Sequence, residues 1–527
     1  MASLDKRVSA PSLALIGIVG AVGTGVLFST AGMAAVAGPA VVLAWFLAIL
    51  IYVPVAIVMI RLALRYPEAG GPARWPFYSH GSVLSLLTSV ADLVWFLFIP
   101  PIEALALVEG INSFYPHFVN HAGNPTFAGS LAAVGVVILM LPINYYGIRL
   151  FANVSNVGGV IKLVLYLLLP LAFVTFALSA NFTRYGGFVP FGGSGIFRAL
   201  PLAAFGVGGV RAIINFTEEM SRPRDITKAV TGSLIGQLIL NVLFGLGFVF
   251  GLNWARIGIK PGDWAAAASI AGNPFLVITR HSTYTWLVPI VAAVAILGPF
   301  ITGYIYQGSG ARTVVAMSRT ELAGQYIGAI DERHRIPGRA LIMFTVIGVI
   351  IAFLTAPVPK IYGLINDAVA AGYMALVPMP VILLAVGYEK GRPGWWDRLW
   401  SALAIAVACL IVYWSGWPSV PYSMIVIAVV SAALAVWRRP GFTGNAVWFI
   451  ALGMFLTLMS AIGDVGQLRL LSLPAGTAVV AAVGAFVFLP WGVRSRLKPR
   501  KVPREAAPFS AGEVTTGPAD TAQSTEA

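Results

Sequence analysis

Gly20-Ala21-Val22-Gly23-Thr24-Gly25 lies in the middle of the first long apolar segment of this 527-residue chain. Its flanks, Ser12 to Val19 and Val26 to Val36, have the composition of a membrane helix. A helix in lipid must close its backbone hydrogen bonds within itself. Three glycines in six residues make that ladder easy to open, because glycine accepts non-helical backbone and has no side chain to cover it. Two readings follow. Either the helix is broken here, which is tolerated at membrane depth only where the break is buried in protein or lines a cavity. Or the small residues let a second helix pack closely.

The rest of the chain settles the environment. It is 58% hydrophobic and only 10% charged, against about 25% charged in a soluble globular protein. Apolar runs of ~20 residues recur, the length that a ~30 Å hydrocarbon core demands. The chain therefore reads as an all-α integral membrane protein. Its single cysteine, Cys409, excludes an intrachain disulfide framework or a multi-cysteine metal site. The start, with Asp5, Lys6 and Arg7, leads into a segment too long for a signal peptide and without a clear cleavage site, so it reads as a retained first helix.

Hydropathy and breakers predict helices over 12–36, 40–65, 82–110, 128–147, 154–179, 196–217, 228–253, 285–317, 337–356, 361–387, 399–416, 421–437, 445–462 and 474–492. That is about fourteen spans. The net charge of +14 is spread over alternate loops, including Arg65, Arg74, Arg149, Arg222, Arg319 and Arg339, and over the C-terminal tail. This is the positive-inside pattern, with both ends in the cytoplasm, and not the footprint of a nucleic-acid binder. The outward loop 253–282 has room for a short interfacial helix, and 319–339 reads as an amphipathic cytoplasmic surface segment. Residues 503–527 read as a disordered tail, and the basic run Arg494 to Arg504 before them as a headgroup anchor.

A second interruption appears in the sixth span, Phe205-Gly206-Val207-Gly208-Gly209-Val210-Arg211. Two glycine-broken spans five helices apart are what an inverted five-plus-five repeat gives, and such pairs point to a transporter's binding site. Helix ends at the breaks expose N–H groups and carbonyls, which together grip both ends of a zwitterion. The backbone candidates are Gly20, Ala21, Val22, Gly23, Thr24 and Gly25 with Phe205, Gly206, Val207 and Gly208.

Several ordered motifs carry a resemblance. Gly17 to Leu27 followed by Ala37-Gly38-Pro39-Ala40, Pro67-Glu68-Ala69-Gly70-Gly71-Pro72, Asn144-Tyr145-Tyr146-Gly147 with Asn153 to Lys162, Glu218 to Ile226, and Gly310-Ala311-Arg312 to Arg319 occur in consistent order. On these the chain resembles the amino acid–polyamine–organocation (APC) superfamily of permeases. The resemblance implies a leucine-transporter-type fold with a transport core over 12–387, built from inverted repeats 12–179 and 196–387. Residues 1–11 would be a cytoplasmic N-terminus, 399–492 four additional transmembrane helices and 493–527 a basic, then disordered, tail. It also implies proton-coupled uptake or exchange of amino acids or related amines at the cell membrane.

Lys162 interrupts the apolar run Val157 to Leu169. An intramembrane lysine is costly unless paired, neutral or facing water, or it snorkels to headgroups near a helix end. By the resemblance it takes the place that sodium occupies in sodium-coupled relatives, against the broken first helix; the expectation drawn from that place is that it couples protonation to the Gly20–Gly25 break. Glu103, just after Pro100-Pro101, reads either as a contact for a substrate amine, a proton relay, or a structural partner of a basic residue. Arg211 departs from the family, where this position is often acidic; facing the pocket it favours anionic groups, or it pairs with an acid such as Glu103. Phe205 falls where, by the resemblance, an aromatic gate stands above the substrate, or it is a core aromatic; Tyr304 and Tyr306 read as weaker pocket candidates. Asp92 and Asp367 have no assignable helical phase.

Other signals are discounted. The glycine run follows no predicted strand, so no nucleotide unit is implied. The five histidines show no metal spacing, no cofactor is called for, and no nucleophile–base arrangement suggests an enzyme. The expectation is a secondary active permease taking a small-molecule substrate and protons. Its alternatives are an exchanger and a substrate-sensing receptor with the same fold.

Overall fold

Apolar runs punctuated by glycine and proline fold into a helical bundle, and the described residues contain no strand, only isolated bridges. The structure, a computed structural model, describes residues 4–120, 124–176, 178–270, 273–355, 361–389, 393–438 and 445–497. The expected tail over 503–527 lies outside them, as do Lys360, Lys390, Arg392 and Arg439. Among the described residues 11 helices are long and apolar enough to cross a membrane. One, Thr24–Arg65, is interrupted at Gly38, where φ is 63° and a Cβ would meet the Pro190 ring at 2.3 Å, so only glycine fits. It therefore divides into the end of the first span and the whole of the second, Val41–Arg65. With the shorter apolar helices Ala10–Ala21, Gly338–Thr355 and Val447–Ile462, the segments follow the predicted order as fourteen spans.

Boundaries moved where tertiary packing overrides local composition. The fifth span begins at Ile148 rather than 154, because Gly147 (φ 104°) ends the preceding turn while Asn153, Ser155 and Asn156 stay helical. Ser155 is held by the Tyr304 hydroxyl, which bonds its Oγ at 3.2 Å. An unpredicted helix, Gly71–His80, follows Gly70 (φ 67°) in the loop after the second span. The loop 253–282 carries a short 3-10 turn, Trp264–Ser269, and a helix, Pro274–Arg280. The charged segment after Arg319 is irregular turns up to Gly338.

The third (Ser82–Asn112), sixth (Gly192–Asn215) and tenth (Ile365–Tyr388) spans are the most enclosed, and the fourth, fifth, twelfth and fourteenth face outward most. The fifth span shows why both faces are apolar. Ile161, Val164 and Leu168 are exposed, as lipid-facing residues are, while Ser155, Gly159, Lys162, Tyr166, Leu169 and Phe173 form a buried stripe at helical spacing. Lys162 belongs to that inner stripe. It faces the bundle, and the snorkelling alternative is set aside.

Three of the quoted motifs meet on one side of the bundle. Val8 donates its N–H to Glu219 O (2.9 Å) and accepts from Ser221 N–H (3.0 Å), tying the N-terminus to the loop after the sixth span. The Glu218 carboxylate accepts from Ala69 N–H at 3.0 Å and from both Arg319 Nη atoms at 2.5 and 2.8 Å. Glu219 takes a matching two-point bond from Arg312 at 2.5 and 2.6 Å, with the guanidinium 3.9 Å over the Phe216 ring. Paired, bidentate bonds of this kind are the strong ones. Burial pushes the Glu218 carboxyl upward, but the Arg319 bonds and charge, with Ala69 N–H and Arg74, outweigh it and hold it below the usual range.

Candidate functional site

The first span is broken, and the break is narrower than the glycine run. Helix Ala10–Ala21 stops at Val22 (φ −91°, ψ 76°), Gly23 adopts φ −121°, ψ −127°, and helix resumes over Thr24–Leu27. Gly20 and Ala21 are thus helical, and Gly25 belongs to the resumed helix. The sixth span stops at Phe205, passes through Gly206 to Gly208, and resumes as Gly209–Asn215. Close packing through glycine is also present, at other positions. A Cβ on Gly209 would lie 1.9 Å from Gly17 O, so the two broken spans touch backbone to backbone.

The two ends of the first break are held by charges of opposite sign. Lys162 Nζ donates to Val19 O (2.6 Å), Gly298 O (2.7 Å) and Thr302 Oγ1 (2.8 Å). An ammonium has three N–H donors, and all three are used. Val19 O is one of the carbonyls that the helix end leaves without an intrahelical partner. Across the break, the Glu103 carboxylate accepts from Thr24 N–H at 3.0 and 3.2 Å and from Thr24 Oγ1 at 2.7 Å. Lys162 and Glu103 are each 1% exposed, so both side chains are enclosed by protein. A Cβ at Gly23 would sit 2.4 Å from Thr302 Oγ1 and 2.7 Å from both Glu103 oxygens, so the two half-sites converge on this glycine. The structure gives Glu103 a backbone partner at the break, not Arg211.

Arg211 pairs instead with Asp92, whose other oxygen accepts from Thr313 Oγ1 at 2.9 Å. Its guanidinium lies 4.6 Å over the Trp95 ring and 5.5 Å from Phe96. Aromatic rings pack between the breaks. Trp95 meets Phe205 (5.7 Å between centroids) and Tyr306 (6.3 Å), and Phe205 covers Gly25. Tyr304 is set apart. It packs on Phe151 and Phe300 and bonds Ser155, away from this layer. Asp367 lies on the tenth span, whose backbone there accepts from Ser423 of the twelfth.

Sequence reasoning missed Asp92, Trp95 and Thr302 as neighbours of these charges. A signal existed: Asp92, Trp95, Ile99 and Glu103 recur at helical spacing, so they share one face of the third span. Gly298, Thr302, Ser309 and Thr313 do the same on the eighth.

A multi-pass bundle whose first and sixth spans are opened at glycine, with buried charges fastened on the opened backbone, is a membrane transporter built on discontinuous helices. The chain belongs to the amino acid permease family: a family model described as amino acid permease matches residues 8–462. It is similar to the glutamate/serine transporter AimA of Bacillus subtilis (strain 168), 25% identical over 519 residues, covering 94% of this chain and 95% of that one. It is also similar to the aspartate-proton symporter of that organism, 24% identical over 508 residues (93% and 96% covered). The branched-chain amino acid permease BcaP, again of B. subtilis, is 23% identical over 401 residues, covering 72% and 81%.

Proposed function

We propose that this protein carries amino acids across the cell membrane in symport with protons, with both termini in the cytoplasm and the transport core formed by inverted repeats 12–179 and 196–387. The observation that carries this reading is the first-span break, where Lys162 holds the carbonyl end and Glu103 the N–H end. Each bond set needs one protonation state. Three donated bonds need the Lys162 ammonium, and acceptance at both Glu103 oxygens from the Thr24 N–H and hydroxyl suits the carboxylate. A proton arriving at Glu103 removes an acceptor from Thr24 and frees the start of the second half-helix. Substrate groups then take the backbone at Val22 to Thr24 and at Gly206 to Gly208, with Phe205 closing over them. The Glu218–Arg319 and Glu219–Arg312 pairs tie the loop after the sixth span to the end of the eighth. The aspartate-proton symporter among the relatives supports coupling to protons.

Uptake of labelled amino acids into proteoliposomes, with and without an inward proton gradient, tests this. Gradient-driven accumulation that Lys162→Gln and Glu103→Gln each abolish, with substrate binding retained, is the expected result. Counterflow indifferent to the gradient would make the protein an exchanger, and binding without flux a receptor.

A further inference from the structure

We infer that Arg211 is a carboxylate-binding subsite, so that the preferred substrates are amino acids whose side chain ends in a carboxylate; this rests on the transport reading above. Arg211 is buried, and only its Nη2 has a protein partner, Asp92. Its Nε and Nη1 find none among the described residues. A guanidinium carries five N–H donors and no acceptor, and buried polar groups are nearly always paired. Arg312 in the same bundle shows what a structural arginine does: Nε, Nη1 and Nη2 all donate, to Glu219 and to Gly308 O.

The position is beside the second break. Arg211 follows the sixth-span break by three residues. The Trp95 ring against which it stacks lies 2.6 Å from where a Cβ on Gly208 would stand. On the other side, Gly372 of the tenth span leaves room for Nη1, which a Cβ there would meet at 2.4 Å. Asp92 and Thr313 fix the far end, and the Trp95 and Phe96 faces fix the plane. The guanidinium is therefore positioned before any ligand arrives. Among the described residues Trp95 Nε1, Trp45 Nε1 and the Tyr52 hydroxyl also find no partner, and Trp45 packs against Gly206 of the same break. Arginine and tryptophan N–H groups only donate. A group that only accepts, a carboxylate, complements that set, whereas an ammonium or guanidinium side chain would meet Arg211 as a like charge. Asp92 takes one bond from Arg211 and one from Thr313, so it occupies only one of the arginine's nitrogens.

The test is competition in proteoliposomes against labelled substrate, comparing glutamate and aspartate with their amides, glutamine and asparagine, and with lysine. The pairs differ only at the side-chain terminus. Glutamate or aspartate should compete at least ~10-fold better than the matching amide, as loss of a charge-assisted hydrogen bond predicts. Removing Arg211 alone leaves Asp92 buried and unpaired, which destabilises strongly, so the variant is the double Asp92→Asn/Arg211→Gln. In it the acid should compete no better than the matching amide. Equal competition by acid and amide in the wild type, or an acid preference that survives the double variant, overturns the inference and leaves the transport reading standing. No flux of any amino acid overturns both.

Discussion

Single residues at the break separate glycine's two roles. A Cβ at Gly23 would overlap Thr302 Oγ1 and both Glu103 oxygens, whereas one at Gly20 has nothing nearer than Ile305 at 3.5 Å. Gly20→Ala should therefore be tolerated and raise stability by about 0.5–1 kcal/mol, since the site is helical. Gly23→Ala should cut uptake at least ~10-fold by pushing Glu103 or Thr302 off the backbone. Thermal melting and uptake of the two variants, side by side, check the contrast. The residue that the sequence made easiest to find was Lys162, because a lysine in an apolar run needs an explanation wherever it points. Arg211 was visible as a departure, but its partner was not. Asp92 is 119 residues away, and only the packing of the third span against the sixth brings them together.

At the scale of elements, the unpredicted helix Gly71–His80 is a docking surface. His80 Nε2 bonds Gly492 O at 2.8 Å and its Nδ1 bonds Ser79 Oγ at 2.8 Å, so the fourteenth span is fastened to the loop after the second. Burial lowers the His80 pKa to about 4; the Gly492 bond opposes this and Arg496 adds to it. Because the folded value lies below that of the free side chain, protonation favours the unfolded state. Stability should fall as pH drops from about 6.5 to about 4, by about 3 kcal/mol at most. Melting curves between pH 7 and 4 should show this, and His80→Gln should flatten the dependence. Glu218 behaves as a paired carboxylate does: its folded value is depressed, so its contribution is full above the ordinary carboxylate range and lost as pH falls through the folded value. Glu218→Gln should loosen the loop after the sixth span, read as faster amide exchange at Ala69 and over Glu218 to Ser221.

For the whole molecule, the helices beyond the tenth are docked on the core. The Gly492 backbone lies against Trp448 and Val381, Ser423 Oγ donates to Asp367 O at 2.9 Å, and Arg198 pairs with Asp464. Removing residues 473–527 should therefore lower the melting temperature and abolish the acid dependence tied to His80, while flux per folded molecule persists if transport resides in 12–387. The sequence by itself determined the solvent, the number and order of the spans, and the two breaks, because these depend on composition and on glycine within one local segment. It also singled out Lys162 and Glu103 as buried charges. The tertiary structure alone decided which charge holds which end of the break, that Arg211 faces Asp92 and not Glu103, and that Tyr306 rather than Tyr304 joins the aromatic layer. Those outcomes depend on helical phase and on which faces meet across many residues of chain. A one-residue shift turns a side chain by 100° on its helix, and no local pattern fixes that angle.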